Sequence, residues 1–486
     1  MWQTSAVQSA LNRRAVVVGS GLAGLECGLR LAAAGWTVEI LSPGRPGHDG
    51  ATHRVHALAP WILLTAPWVR GDSPDRLLAD LKRRGEGMER DGLAEALACE
   101  AHDAARHIVE TLDLELVEPQ PTFLPGDEVP RGMRCLPRNR RVLLAPLLEK
   151  CVQAGVALRG RTLAFGLLIH AGRAVGVAAL DRATNRRTPF PADAVVLACG
   201  GPGAVFPVTT EPRWCRGSGM ALASAAGALL HRPELMQALP VTATRPLYFP
   251  TSAALVAGRI NVDGRVLARA PDLETATREI ALALQAGAAV YLDPTDRGER
   301  LLPSRVRLSA AFQTERLVPL TLALHHGVGG VAIDSWGRTS LPGLYACGEA
   351  AGGIQGRRRM MGTGLVEAVI FGGRAARAVC HDVEAPEGWP SAEVVGPAIP
   401  EDPGLVEERL DALMGPLTAV RGAADVGAAL YELEGWPRRS PDLADERGAL
   451  AGIRLRAAVE ILAGERSRGL THTGVAVRGA DACERS

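Results

Sequence analysis

Apolar residues recur along this chain in two rhythms. Short β-branched runs that end in glycine-rich turns predict buried parallel strands. The first is Ala15 to Val18, followed at once by Gly19-Ser20-Gly21-Leu22-Ala23-Gly24. Leu25, Leu29 and Ala32 then fall at helical spacing, which predicts a helix over roughly Leu22 to Ala34 with Gly35 as its stop. Thr37 to Leu41 reads as a second strand. Similar runs return at Ala194 to Ala198, within DAVVLACGGPG, and at Leu344 to Ala346, within LPGLYACGEAA. Gly362, Thr363 and Gly364 open an amphipathic helix from about Leu365 to Ala378.

The strand, glycine loop, helix and strand order gives the GxGxxG motif its meaning. Gly19 permits the tight turn, Gly21 lets a pyrophosphate approach the backbone, and Gly24 lets the helix pack close on the strand. The helix start offers N–H groups and a positive dipole end to phosphates. The acidic residue that often follows the second strand is absent; Ser42 stands there and can hydrogen-bond a ribose. The motif alone leaves FAD and NAD both open. Gly200-Gly201 and Gly348-Glu349 are strand ends where glycine lets a cofactor near the backbone. Each alone reads as an ordinary tight turn; the three together suit one long cofactor across strand ends. The arginines Arg357, Arg358 and Arg359 lie between two such motifs, which weakens the reading of a solvated charge run.

Bulk properties narrow the choice of partners. A chain of 486 residues predicts two or three domains. A net charge of +1 argues against nucleic acid or an anionic membrane as partner. Nine cysteines occur singly and without a CxxC, so neither a disulfide framework nor a metal or iron–sulfur site is expected. Met1 to Arg14 has no signal-like apolar run, and no stretch reaches the ~20 residues of a membrane span. A soluble cytoplasmic protein is the expectation, with a homo-oligomer left open.

These segments together resemble the succinate dehydrogenase/fumarate reductase flavoproteins, and within them the L-aspartate oxidase branch. Leu41-Ser42 is similar to that branch's Leu-Ser after the second strand. Gly200-Gly201 with Thr209, Thr210 and Pro212 looks like the family's ATGG…TTNP stretch. VAIDSWGRTSLPGLYACGE looks like its GRT and GLYA-GE signature, and RRRMMGTGLVEAVIFG like its NRL…NSLLEALVFG helix. The tail from Gly464 to His472 and the Leu413-Met414 to Arg421 segment look like its C-terminal helical domain.

The resemblance implies FAD as cofactor. It implies an α/β fold: a Rossmann-like FAD-binding domain over 1–232 and 327–394, an inserted α+β capping domain over 233–326, and a C-terminal helical domain over 395–486. Cofactor contacts would come from Gly19, Gly21, Leu22, Ala23, Gly24, Ser42, Gly200, Gly201, Gly348, Glu349, Gly364, Leu365 and Glu367. Glu349 and Glu367 would divide the ribose and the ring-side contacts in an order the resemblance leaves open.

Two substrate residues carry over from the family. His325 stands in H-x-x-x-GG, and Arg359 stands where the family holds a carboxylate. Arginine suits that task because its fork is bidentate with carboxylate. Other positions depart: Leu239 replaces a substrate histidine, Ser218 replaces an aspartate, and Val256-Ala257-Gly258 lacks the family's proton-handling arginine, with Arg259 three residues on. The upstream acid is not identifiable, although Asp127 and Glu128 lie near its place. His53 aligns loosely with a covalent flavin histidine and reads better as a loop residue, so dissociable FAD is expected. The implied activity is L-aspartate to iminoaspartate in NAD biosynthesis. A fumarate reductase-type or other flavoenzyme with a less anionic substrate, and a non-catalytic flavin-binding paralogue, are the alternatives.

Overall fold

The computed structural model describes residues 13–58, 61–117, 120–121, 128–138, 142–243, 247, 260–266, 273–293, 317–383, 391–415, 423–441 and 445–468. Strand β1 (Arg14–Val18) runs into helix α1 (Leu22–Ala33) and returns as β2 (Thr37–Leu41). Three later strands matter for the site: β3 (Ala194–Leu197), β4 (Met236–Thr242) and β5 (Val318–Gly327). They are followed by β6 (Leu344–Ala346), helix α2 (Gly364–Asp382) and helix α3 (Glu446–Arg468).

A five-stranded sheet forms the centre, in the order β6, β3, β1, β2 and a short strand Ala157–Arg159. All its pairings are parallel. Buried on both faces, its strands are continuous apolar runs: Val16, Val17, Ile40, Val195, Val196 and Leu197 are at most 1% exposed. Adjacency of β1 to β3 reverses the winding next to the first glycine loop, which makes the crevice at the strand ends a binding place.

Glycines let the layers close. A Cβ on Gly28 would lie 2.7 Å from Ile40 Cδ1, so α1 sits directly on β2. A Cβ on Gly372 would lie 2.7 Å from the carbonyl of Ala23, so α2 lies against α1. Gly19 has φ +116°, a conformation that glycine adopts at no steric cost, and its missing Cβ is the space taken by the Ala198 carbonyl.

Between β3 and β6 the chain leaves the parallel sheet and builds an antiparallel one. Its order is β4, β5, Val290–Leu292, Ile260–Val262 and Arg265–Val266. Helix Leu273–Gln285 packs on it through Ile280 and Ala281, which meet Leu239, Leu320 and Leu322. After α2, helices Pro403–Met414, Ala423–Glu434 and α3 share a core of Leu410, Met414, Leu433, Leu455 and Ile461. The molecule is thus a Rossmann-like α/β unit with an inserted α+β capping unit and a C-terminal helical unit.

Several local expectations change. The helix expected to end at Ala34 has Ala34 as its C-cap, and α2 runs four residues past Ala378. His53 is not on a loop: Ala51–Leu58 is helical, because the Gly50 carbonyl accepts the amides of His53 and Arg54 and starts the turn. Of the C-terminal resemblance, Arg421 and His472 lie outside the described residues, as do Asp127, Val256, Ala257, Gly258 and Arg259.

Candidate active site

The three glycine turns converge at the carboxyl ends of β1, β3 and β6. A Cβ on Gly348 would lie 2.7 Å from Ala23 Cβ, which sets the late turn against the start of α1. A Cβ on Gly24 would overlap the Gly19 carbonyl, so the helix enters the turn with no space to spare. Gly21 differs: with φ −74°, an added Cβ would meet only Thr52 Oγ1, at 3.6 Å. Gly21 is the N-cap and offers no side-chain cap to the amides of the first turn. The Leu22 amide reaches Thr52 Oγ1 at 3.3 Å. An open approach to a helix N-terminus that its own N-cap residue leaves uncapped is what a pyrophosphate requires, so these residues fit a dinucleotide.

Ser42 is buried, and its Oγ accepts a 3.0 Å hydrogen bond from Ser20 Oγ. Ser20 Oγ in turn accepts the Gly47 amide at 3.1 Å. Ser42 thus tethers the first turn to the loop after β2. Leu22 is buried and Leu365 packs half-buried on the main core.

The arginine run separates by role. Arg357 and Arg358 both pair with Glu86, the first at 3.5 Å. Arg359 turns inward and is 8% exposed. Its Nη1 donates to Gln237 Oε1 at 3.0 Å, and its Nε has no hydrogen-bond partner. Among the described residues no carboxylate lies within ion-pair distance of it. Burial pulls its pKa below the usual arginine value, against the pull of Glu367, Glu349 and Glu211. Gly364 leaves room for the guanidinium; a Cβ there would lie 2.6 Å from Arg359 Nη2 and 3.6 Å from His326 Cε1. Arg359 therefore lies where the start of α2 meets the antiparallel sheet.

That sheet edge is irregular for a reason. Gln237 pairs with His326 and Ala238 with Leu324, so His325 is an extra residue in β5. Such a bulge re-aims side chains, and both histidines here reach polar partners. His325 Nδ1 lies 2.9 Å from Thr210 Oγ1. His326 Nδ1 lies 3.3 Å from Glu349 Oε1, which also accepts the Gly327 amide at 2.7 Å. Burial, and secondarily Arg359, pulls His325 down to about 3, and the same causes hold His326 well below its usual value. Both rings are neutral at physiological pH.

Glu367 is buried and accepts from Gln355 Nε2 at 2.9 Å; burial raises it to about 7. Leu239, two residues along β4 from Gln237, is buried beside Leu320 and Leu322 and brings no charge. Ser218 starts helix Ser218–Ala225. Glu128 lies 3.7 Å from Arg83. Gln237, His326 and Glu211 were not singled out by sequence. Only Glu211 carried a signal, standing where the resembling TTNP stretch has asparagine.

A family model described as "FAD binding domain" matches residues 14–270 and 268–365. The chain belongs to this FAD-binding family. Its cofactor is FAD, and its place is the L-aspartate oxidase branch of the succinate dehydrogenase/fumarate reductase flavoproteins. It is 32% identical over 397 residues to an L-aspartate oxidase of Caulobacter vibrioides, covering 76% of each chain. It is also 32% identical over 335 residues to the fumarate reductase flavoprotein subunit of Mycobacterium tuberculosis, over 59% of this chain and 58% of that one. The fold matches Mycobacterium smegmatis Sdh1 in complex with UQ1, with a TM-score of 0.76 and 23% identity, covering 93% of this chain and 86% of that one. The chain is an FAD-dependent oxidoreductase. No helix among the described residues is long and apolar enough to cross a membrane.

Proposed function

We propose that this flavoenzyme oxidises a small carboxylic acid held by Arg359, and that L-aspartate, converted to iminoaspartate, is the first substrate to test. The observation that carries this reading is Arg359 itself: a buried guanidinium on a neutral amide, with no carboxylate in ion-pair distance among the described residues. A buried cation of this kind calls for an anion. A substrate carboxylate would receive paired, charge-assisted hydrogen bonds from its free edge. Bound FAD supplies the hydride acceptor. His325 and His326, neutral and pinned by Thr210 and Glu349, would present fixed dipoles at the sheet edge without competing for the anion. A cytoplasmic, membrane-free enzyme goes with this reading, as does the single, unpaired state of the eight described cysteines.

Leu239 favours a second reading. Where the resemblance calls for a histidine at a second carboxylate, a buried leucine stands among apolar neighbours. An acid with one carboxylate at Arg359 and an apolar remainder suits that surface better than a dicarboxylate. The test is product formation by the FAD-loaded protein with L-aspartate, succinate and an apolar amino acid. Ammonia and oxo-acid from L-aspartate support the first reading. Turnover of the apolar acid alone supports the second. No turnover of any carboxylate refutes both.

A further inference from the structure

The turn Gly200-Gly201-Pro202-Gly203 makes room for two carboxylates. A Cβ on Gly201 would overlap the Glu349 carboxylate, and one on Gly203 would lie 2.8 Å from Glu211 Cδ. Glu211 is 6% exposed, and its Oε2 accepts the Gly203 amide at 3.2 Å. Its Oε1 is buried with no hydrogen-bond partner of good geometry among the described residues. One ligand atom each of Glu211, Glu349 and His326 lies within 4.8 Å of the others.

Counting donors locates the proton. Glu349 Oε1 takes the Gly327 amide and faces His326 Nδ1. With its proton on Nδ1, a neutral His326 donates to that oxygen, so Glu349 Oε1 is filled as an acceptor by two donors while Glu211 Oε1 has none of good geometry among the described residues. Two ionised carboxylates this close and this buried repel strongly. A protonated Glu211 removes the repulsion and satisfies its own orphaned oxygen. We propose that Glu211 is a positioning residue: as a neutral acid it hydrogen-bonds Glu349 and fixes that side chain beside the FAD-binding turns. This rests on the FAD-binding reading of the site and not on the choice of substrate.

Burial, and then the Glu349 charge, pushes the Glu211 carboxyl well above the usual range. The groups that face the pair are Cys215 from the same loop, His326 and, through Thr210, His325 from β5, and more distantly Arg359 and Glu367. Both histidines are neutral and Cys215 is held protonated by burial, so the carboxyls that change charge as pH rises are Glu211, in contact with Glu349, and the more distant Glu367, which keeps its own titration in a Glu211→Gln variant. The sign follows. A raised folded pKa means the paired arrangement is complete at low pH and lost as pH rises through that value. FAD affinity falls on the alkaline side.

The experiment is FAD binding to deflavinated protein, followed by quenching of flavin fluorescence from about pH 6 to about pH 10. Glu211→Gln keeps shape and a donor but has no proton to lose. It is expected to match wild type at low pH and to hold its affinity at high pH, where wild type weakens by roughly tenfold or more. Glu211→Leu removes the donor and is expected to bind FAD roughly tenfold more weakly at every pH, with its circular dichroism unchanged. A wild-type affinity independent of pH overturns the proposal, as does a Glu211→Gln profile that overlays wild type. So does a stoichiometric divalent cation in the purified protein, which would make the three side chains ligands. None of these outcomes touches substrate oxidation, so they separate this proposal from the substrate reading.

Discussion

Replacing Arg359 by leucine separates binding from folding. In the structure this guanidinium contributes one hydrogen bond to the fold, from its charged Nη1 to the neutral Gln237 Oε1 at 3.0 Å. A bond with one charged partner is worth about 1.5–3 kcal/mol at most. Against it stands the cost of burying a cation whose Nε has no partner, a cost already visible in its lowered pKa. Exchanging a poorly compensated buried charge for an apolar side chain is often neutral or stabilising. Arg359→Leu should therefore melt at or above the wild-type temperature. Binding should behave oppositely. A charge-assisted hydrogen bond to a carboxylate is worth ~1.5–3 kcal/mol, so KM for the acid should rise roughly 10- to 100-fold. The contact exists in both ground and transition states, so kcat should change less than KM. Flavin content should stay constant. The assays are thermal melting, the flavin-to-protein absorbance ratio and steady-state kinetics. A wild-type KM would refute the reasoning, and so would a KM rise that merely tracks flavin loss.

Gly21→Val tests the cofactor cradle. Backbone φ is permissive there and a Cβ meets only Thr52 Oγ1, in ordinary contact, so the protein should fold and yet purify without flavin. A yellow Gly21→Val protein would place the pyrophosphate elsewhere. His53 should not carry the flavin covalently, so acid precipitation should leave a colourless pellet and a yellow supernatant. The buried His325 titrates near 3, below its unfolded value near 6.5, so it favours unfolding as pH falls between those values. The melting temperature of His325→Gln should fall less steeply than wild type over that window; parallel curves would contradict the assignment.

The sequence already disclosed the parallel half of the fold, because its strands are buried on both faces and so read as unbroken apolar runs. Thr37–Leu41 begins and ends where the pattern places it. The antiparallel sheets were harder to see. Thr162–His170, Arg173–Asp181 and Arg186–Pro191 form successive pairs, but the apolar face they present, core Leu180 included, is covered in one cluster with Ile453 of the distant α3, which no local pattern announces. The candidate site follows the same division. Gly19, Gly21 and Gly24 act locally and were legible. Gln237 was not, because its partner Arg359 is 122 residues away. The bulge at His325 depends on strand register, which no local pattern encodes. Glu211 lay in plain view between Thr210 and Pro212, but its meaning needed Glu349 beside it.

Flavin reduction under anaerobic conditions tests the central claim most directly. The FAD-loaded protein would be mixed with a panel of small carboxylic acids, L-aspartate first, and with the matching amides, while the visible flavin band is followed. Bleaching by at least one acid, absent or far slower with its amide, is the predicted result. A fully loaded flavin that no carboxylate reduces, or that acid and amide reduce equally fast, would contradict a carboxylate-oxidising site built around Arg359.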